Sequence, residues 1–410
     1  MSRSCPACGT TYPDDVSFCG HDGNLTIQDQ DPSTFDARLG SQLGPFVLVA
    51  RVADGAMGRV YEARHPETKE RVAIKVLHPM VARDFVSTER FRREYETARE
   101  LDHPHVVQVL EFGMTPEEVP YMTMEYLEGE PLGALLAREG RVEPARLVRI
   151  VSQAAGALAH AHSFGVIHRD LKPDNLFLVA TEKGDQLRIL DFGSVKLQME
   201  MGPKLTAMGT TLGTPLYMSP EQAMGKLDVD LRTDVYALAA LTYEMLCGRG
   251  PFKAESVGEI LRRVVTERAP PPSTFEPSIP ASVDAVVLRG IEKDKTKRPA
   301  SAPEFAAEFT QAWGLGDDPA QWSGASTVQI RAALEAIGPN TEPPSPTPIR
   351  AEPGAPAAGE EGAAPEDRSR AGQSFAPGPL PTASRRPLMI GAGIFLLISV
   401  VGAILLLMGR

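Results

Sequence analysis

The chain is poor in cysteine and in cationic side chains, and it lacks several patterns that would fix its class at once. Four cysteines in 410 residues are too few for a disulfide framework. Lys and Arg number 42 against 53 Asp and Glu, for a net charge of −11. The basic footprint of a nucleic-acid binder is therefore missing, and no nucleic-acid partner is expected. The N-terminus has no apolar run of the kind a secretory signal needs. No repeat with a period of about 20–50 residues recurs. What remains is a globular composition, 42% hydrophobic and 23% charged, with 36 glycines and 36 prolines that point to some linker.

Hydropathy divides the chain. Short β-like runs at Phe46–Val52, Arg59–Arg64 and Arg71–Leu77 precede a stretch in which Phe91, Tyr95, Ala98 and Leu101 share one helical face. Two more strands are expected at Val106–Phe112 and Tyr121–Tyr126, and helical periodicity dominates from Pro144 onward. This predicts an α+β fold, a small β-rich part followed by a larger helical part. Residues 26–45 read as a linker and 46–313 as the folded domain. Residues 314–387 read as a Pro/Ala-rich disordered tether, with 12 prolines between 339 and 387, although Val328–Ile337 has the pattern of a short amphipathic helix. Residues 388–408 are 21 uncharged, mostly aliphatic residues, which as a helix span about 31 Å, a bilayer's hydrocarbon thickness. Arg368, Arg370, Arg385 and Arg386 precede this run and Arg410 follows it. That bias predicts a single-pass tail anchor in the inner (plasma) membrane, with the bulk of the chain in the cytoplasm. Gly391, Gly393 and Gly402 offer small residues for a homodimer contact without forming Gly-x-x-x-Gly.

Four motifs carry chemistry. Val52-Ala53-Asp-Gly55-Ala-Met-Gly58-Arg-Val60 lies between two expected strands, where glycines let backbone amides close over phosphates. Val72-Ala73-Ile-Lys75 places an ammonium at the end of an apolar strand, and Glu94 on the following helix is the carboxylate that orients it. His168-Arg169-Asp170-Leu-Lys172-Pro-Asp-Asn175 supplies a base in Asp170, a cation for phosphoryl oxygens in Lys172 and an amide oxygen for Mg²⁺ in Asn175. Leu190-Asp191-Phe192-Gly193 supplies the main metal carboxylate, Asp191.

In this order and spacing the motifs make residues 46–313 resemble a bacterial eukaryotic-type Ser/Thr protein kinase. The resemblance implies a bilobal fold, ATP and Mg²⁺ (or Mn²⁺) as cofactors, and protein Ser/Thr hydroxyls as substrates. It implies a Lys75–Glu94 ion pair, Asp170 as catalytic base, and Asn175 and Asp191 as metal ligands. It makes Met124 a gatekeeper, Glu125–Tyr126 the adenine-binding hinge, and Ala73 a wall of the adenine site. Ser219-Pro220-Glu221 stands where the family usually has Ala-Pro-Glu, with Arg298 placed to pair with Glu221 and Asp234 placed to brace the catalytic loop. Lys172 and Thr214 match the Ser/Thr type, Thr214 bridging Asp170 and Lys172. Arg169 suits a phosphate on the activation segment, making Thr206, Thr210 and Thr211 the expected autophosphorylation sites. One departure is Ala53, where the family has the first glycine of its loop, and it is expected to alter nucleotide affinity modestly.

Residues 1–25 form a separate unit. Cys5-Pro-Ala-Cys8 and Cys19-Gly-His21-Asp22-Gly23 resemble the knuckles of a zinc ribbon. The fourth ligand departs from that pattern, leaving Asp22, or His21 beside it, to complete a Zn²⁺ site. A redox-active Cys5–Cys8 dithiol is the competing reading. Cys247 reads as a packed helical thiol. With Lys75, Glu94, Asp170, Lys172, Asn175 and Asp191 all present, an active kinase in membrane signal transduction is expected, and the alternative is a membrane-anchored pseudokinase scaffold.

Overall fold

The computed structural model describes residues 2–29, 36–192 and 215–338. Thr206, Thr210, Thr211, Thr214, the stretch 339–387 and the apolar run 388–408 lie outside the described residues. Among those described, no helix is long and apolar enough to cross a membrane.

Strands β1 (Ser2–Ser4), β2 (Thr11–Pro13) and β3 (Ile27–Gln28) make a small antiparallel sheet in the order β2-β1-β3. β3 lies beyond the expected end of this unit at residue 25. Strand β4 (Gln42–Leu43) opens a second sheet, followed by β5 (Phe46–Asp54), β6 (Gly58–Arg64) and β7 (Arg71–Leu77). Next come a short helix α1 (Pro79–Ala82), the long helix α2 (Phe85–Glu100), β8 (Val109–Met114) and β9 (Pro120–Glu125). The six strands run β4-β5-β6-β7-β9-β8, all antiparallel. Helix α2 starts where the Asp84 carboxylate accepts from the Ser87 amide. It turns Phe91, Glu94 and Ala98 inward, onto a core with Leu48, Tyr61, Ile74 and Met122. Two thirds of that inward face is apolar. The carboxylate among them needs a buried partner.

The helical part begins with β10 (Gly129–Pro131), α3 (Leu132–Glu139) and α4 (Pro144–Ser163). A hairpin follows, β11 (Leu176–Thr181) and β12 (Gly184–Ile189), which pairs with β10. Helices α5 (Pro220–Ala223), α6 (Arg232–Cys247), α7 (Val257–Thr266), α8 (Ala281–Gly290) and α9 (Ala302–Ala312) complete the expected domain. Helices α4 and α6 are buried along almost their whole length. Leu147, Ile150, Val151, Leu158, Val235, Leu238 and Leu241 are all fully inaccessible. Cys247, at the end of α6, is half-buried with its thiol 3.1 Å from the Tyr243 carbonyl.

Two boundaries need correction. The expected linker 26–45 contributes buried Thr26, β3, β4 and Asp36, whose carboxylate accepts from the Tyr61 hydroxyl at 2.7 Å. The expected tether begins later than residue 314. Helices α10 (Pro319–Gly324) and α11 (Thr327–Ile337) pack on α4, burying Trp322 and Ile330. The Arg149 guanidinium donates to the Ser323 and Ala325 carbonyls. The amphipathic pattern at Val328–Ile337 is a docked helix, with Ala333, Leu334 and Ile337 beside Ile330 on the core. Trp322→Ala is expected to lower the unfolding free energy of the full chain by about 3–5 kcal/mol; urea denaturation with an unchanged midpoint would show that this segment adds nothing to the fold.

Candidate active site

The two parts of the molecule meet at Lys75. Its ammonium, on β7, lies 2.8 Å from Glu94 Oε1 on α2 and 2.8 Å from Asp191 Oδ1 just after β12. Burial works against charge on Lys75, but Asp191 and then Glu94 outweigh it and raise its pKa. Burial also disfavours charge on the carboxylates, with opposite outcomes. Asp191, 39% exposed, is held at about 2 because Lys75 outweighs burial. Glu94, 3% exposed, is pushed up to about 7 by burial, which Asp191 reinforces against the pull of Lys75.

The catalytic loop is fixed from beneath. Asp234, fully buried near the start of α6, accepts the His168 and Arg169 amides at 2.8 Å each and the His162 ring at 2.7 Å. This clamp holds Arg169 at φ 64°, a left-handed conformation that side chains disfavour. Asp191 is likewise left-handed, at φ 57°. His168 meets the Leu190 carbonyl at 3.0 Å and packs edge-on against the buried ring of Phe192. Asp170 Oδ2 is 2.8 Å from Lys172 Nζ, and Asn175 Nδ2 donates to the Asp170 carbonyl at 2.8 Å. The amide nitrogen of Asn175 is thus committed inward, leaving its oxygen as the group to face a metal. Glu221 and Arg298 form a buried two-pronged pair at 2.7 and 2.8 Å. Gln222 adds a tie from its side-chain amide to the Arg169 carbonyl, 2.8 Å, which no sequence motif had indicated.

Cross-strand register assembles the nucleotide-facing side. Ala53 pairs with Val60, Val60 with Lys75, and Ala73 with Met124. Val52, Ala53 and Gly55 are exposed, whereas Gly58 is buried. A Cβ on Gly58 would lie 2.2 Å from the Val76 carbonyl oxygen, so only glycine fits there. No residue from Ala53 to Gly58 has positive φ. Ala53 is therefore unstrained, and the expected change in nucleotide affinity has no backbone cause. At the expected hinge, two groups are already engaged. The Glu125 amide is taken by the Gln108 carbonyl at 2.9 Å, and its carboxylate by Arg188 and the Gln108 amide. The Tyr126 ring lies under the Arg71 guanidinium, 3.6 Å away. Neither the Glu125 amide nor the Tyr126 ring is free for a purine, which leaves the carbonyls and the Leu127 amide.

A model of the protein kinase domain matches residues 46–310. The chain belongs to the protein kinase family. This kinase is 39% identical over 265 residues to the serine/threonine-protein kinase pkn3 of Myxococcus xanthus, covering 63% of this chain and 48% of that one. It is 37% identical over 313 residues to PknH of Mycobacterium tuberculosis, covering 76% and 48%. It spans about half the length of these curated relatives. The crystal structure of the PknI kinase domain of Mycobacterium tuberculosis aligns with a TM-score of 0.53 at 30% identity, covering 67% of this chain and 98% of that one. The domain is of the bacterial serine/threonine type, and its two lobes are the two parts described above.

Beside Lys172 lies a cavity of about 370 Å³. Leu136, Leu216 and the Tyr217 ring line it, and Asp174 and Glu244 supply carboxylates. Gly133 makes room for one of them, since a Cβ there would sit 2.8 Å from Asp174 Oδ1. Glu244 receives the Tyr217 hydroxyl, yet burial still raises its pKa. A lone acid within the apolar run of α6 was the sequence signal that could have found it.

At the N-terminus, donor atoms of Cys5, Cys8, Cys19 and Asp22 all lie within 4.8 Å of one another. His21 is not among them. Cys8 and Cys19 sulfurs are 3.5 Å apart, and Cys5 Sγ is 3.3 Å from Asp22 Oδ2. The edges of a tetrahedral ZnS₃O site are about 3.5–3.8 Å, close to these two separations, and three thiols with one carboxylate are a donor set that suits the ion.

Gly58→Ala is expected to weaken nucleotide binding by about tenfold or more, while Ala53→Gly stays within about twofold. Calorimetric titration with ADP and Mg²⁺ separates the two, and equal losses would contradict the steric argument.

Proposed function

We propose that the whole protein is an ATP-dependent serine/threonine protein kinase that phosphorylates protein substrates and itself. The observation that carries this reading is the single Lys75 ammonium shared by Glu94 and Asp191, in a chain whose Asp170 is held by Lys172 and Asn175. In this reading Lys75 holds the phosphates of ATP. Asp170 is placed to orient the acceptor hydroxyl and take its proton as the hydroxyl oxygen bonds to the γ-phosphorus and the bond to the β-γ bridging oxygen breaks, leaving ADP. Lys172 neutralises the transferred oxygens. Asn175 and Asp191 present hard oxygen donors that fit Mg²⁺ or Mn²⁺, which would supply charge compensation to the phosphates. Most of the rate gain comes from positioning and fixed charge.

The cavity beside Lys172 suits a basic side chain near the acceptor, with its aliphatic stem on Leu136 and Leu216 and its cation between Asp174 and Glu244. Lys204 stands two residues before Thr206, and no Lys or Arg lies within three residues of Thr210 or Thr211. This favours Thr206, phosphorylated by a second copy, as the principal site, with Arg169 as the cation for its phosphate. The N-terminal cluster is read as a structural zinc site, because a unit this small needs metal to fold. The run 388–408 is read as an inner-membrane anchor that keeps the kinase domain in the cytoplasm, on its length, its lack of charge and the arginines before it.

Three measurements test these readings. Asp170→Asn should bind ADP as the parent does but lose turnover by about 10²–10⁴-fold; transfer at the parental rate would remove the base assignment. Phosphopeptide mapping should find Thr206 ahead of Thr210 and Thr211, with Glu244→Gln and Lys204→Ala each cutting its share by about tenfold, the cost of one lost charge-assisted contact. An unchanged site distribution would rule out the basic subsite. Metal analysis should return about one zinc per chain, lost in Cys8→Ser; metal-free protein that keeps its ribbon fold would refute the structural site.

A further inference from the structure

The small N-terminal sheet is docked on the kinase domain through a buried ion pair that lies beside the nucleotide site. Arg3, on β1 and two residues before Cys5, is 5% exposed. Its guanidinium reaches Glu62 Oε2 at 3.4 Å and the Thr26 carbonyl at 3.4 Å. Glu62, on β6, is 3% exposed. Its other oxygen receives Arg64 at 2.8 Å and Arg71 at 3.1 Å. Arg71 in turn covers the ring of Tyr126 in the hinge.

The register adds the decisive fact. Glu62 is the direct cross-strand partner of Ala73, and such partners lie on the same face with Cβ atoms about 5 Å apart. The residue that binds Arg3 therefore neighbours the wall of the adenine site. A second contact reaches the glycine-rich loop, where the Arg51 amide, one residue before Val52, donates to Gln28 Oε1 at 3.2 Å.

We propose that the Cys5–Cys8–Cys19–Asp22 site and the nucleotide site are coupled through the Arg3–Glu62 pair, so that occupancy of either tightens the other. This rests on the zinc and kinase readings above. Few apolar residues of the N-terminal unit are buried, namely Cys5, Cys19 and Leu25. Without metal β1 keeps its pairing with β2 and β3 but loses the cross-link that fixes the two cysteine loops around it, and Arg3 loosens from Glu62. Glu62 is then shared by Arg64 and Arg71 alone, and the face it shares with Ala73 opens to water. Binding free energies couple reciprocally, so a nucleotide that orders this face must retain the metal by the same factor.

The test uses the full chain loaded with zinc. Zinc release to a chromogenic chelator is followed with and without saturating ADP and Mg²⁺, for the parent, for Arg3→Met and for Glu62→Gln. The second variant serves if Arg3→Met fails to fold. The parent should release zinc about fivefold more slowly or better when nucleotide is bound, at the lower end of typical couplings. In either variant, with zinc still bound, the difference should fall to within about twofold, which also controls for chelation of zinc by free nucleotide. Equal rates in the parent would overturn the proposal while leaving both sites standing. Protection that persists in the variants would overturn the route through Arg3. A parent chain that holds no zinc, by direct metal analysis, or no ADP, by calorimetry, would overturn the underlying reading and the coupling with it.

Discussion

Everything at the active site depends on where one ammonium group sits. Lys75 is carried by the six-stranded sheet, Glu94 by the helix packed on that sheet, and Asp191 by the chain leaving the β11–β12 hairpin. Three elements far apart in sequence are thus registered on one nitrogen. The two bonds differ in kind. Lys75 holds the Asp191 carboxyl below the ordinary carboxylate range, whereas burial raises Glu94 above it. A buried acid with a single cationic partner shared with another acid is the weaker of the two ties.

A second set of buried charges carries the catalytic loop. Asp234 spends its carboxylate on two consecutive amides, and that is what keeps Arg169 in an unfavourable left-handed turn. The Glu221–Arg298 pair fastens the start of α5 to the segment before α9, and Gln222 passes that rigidity back to Arg169. Uncompensated charges at these depths would be strongly destabilising. Here each carboxylate is met by a guanidinium or by amides, so the polar core defines one geometry and tolerates few others.

Much of this was legible in the sequence because kinase motifs concentrate several functional groups on one short loop. Asp170, Lys172 and Asn175 lie within six residues, so fixing one nearly fixes the others. The strands at Phe46, Arg59 and Arg71 were equally plain from alternation. What could not be read depends on distant pairing. Glu62 looks like any strand-surface acid until Arg3 arrives from 59 residues away. The engagement of the Glu125 amide is of the same kind, because its partner Gln108 lies on the approach to another strand. The amphipathic pattern of α11 was visible, with Ile330, Ala333, Leu334 and Ile337 along one face, but nothing in it says that this face and Trp322 of α10 cover α4. Glu244 sat in view as the one acid after Asp234 on an apolar helix, but only the cavity gave it a meaning.

The position of Arg3 also bears on how small molecules would distinguish this member of the kinase family. Inhibitors directed at the adenine pocket of kinases meet the shared furniture of the fold, and selectivity among them is hard to achieve. In this molecule the sheet face that carries Ala73 continues to Glu62 and then to a guanidinium contributed from outside the matched domain. A compound grown from the adenine position along that row, ending in an acid, would exchange Glu62 for itself at Arg3. It would be reading an N-terminal appendage through the active site, and its discrimination would come from a residue that the domain's own motifs do not include.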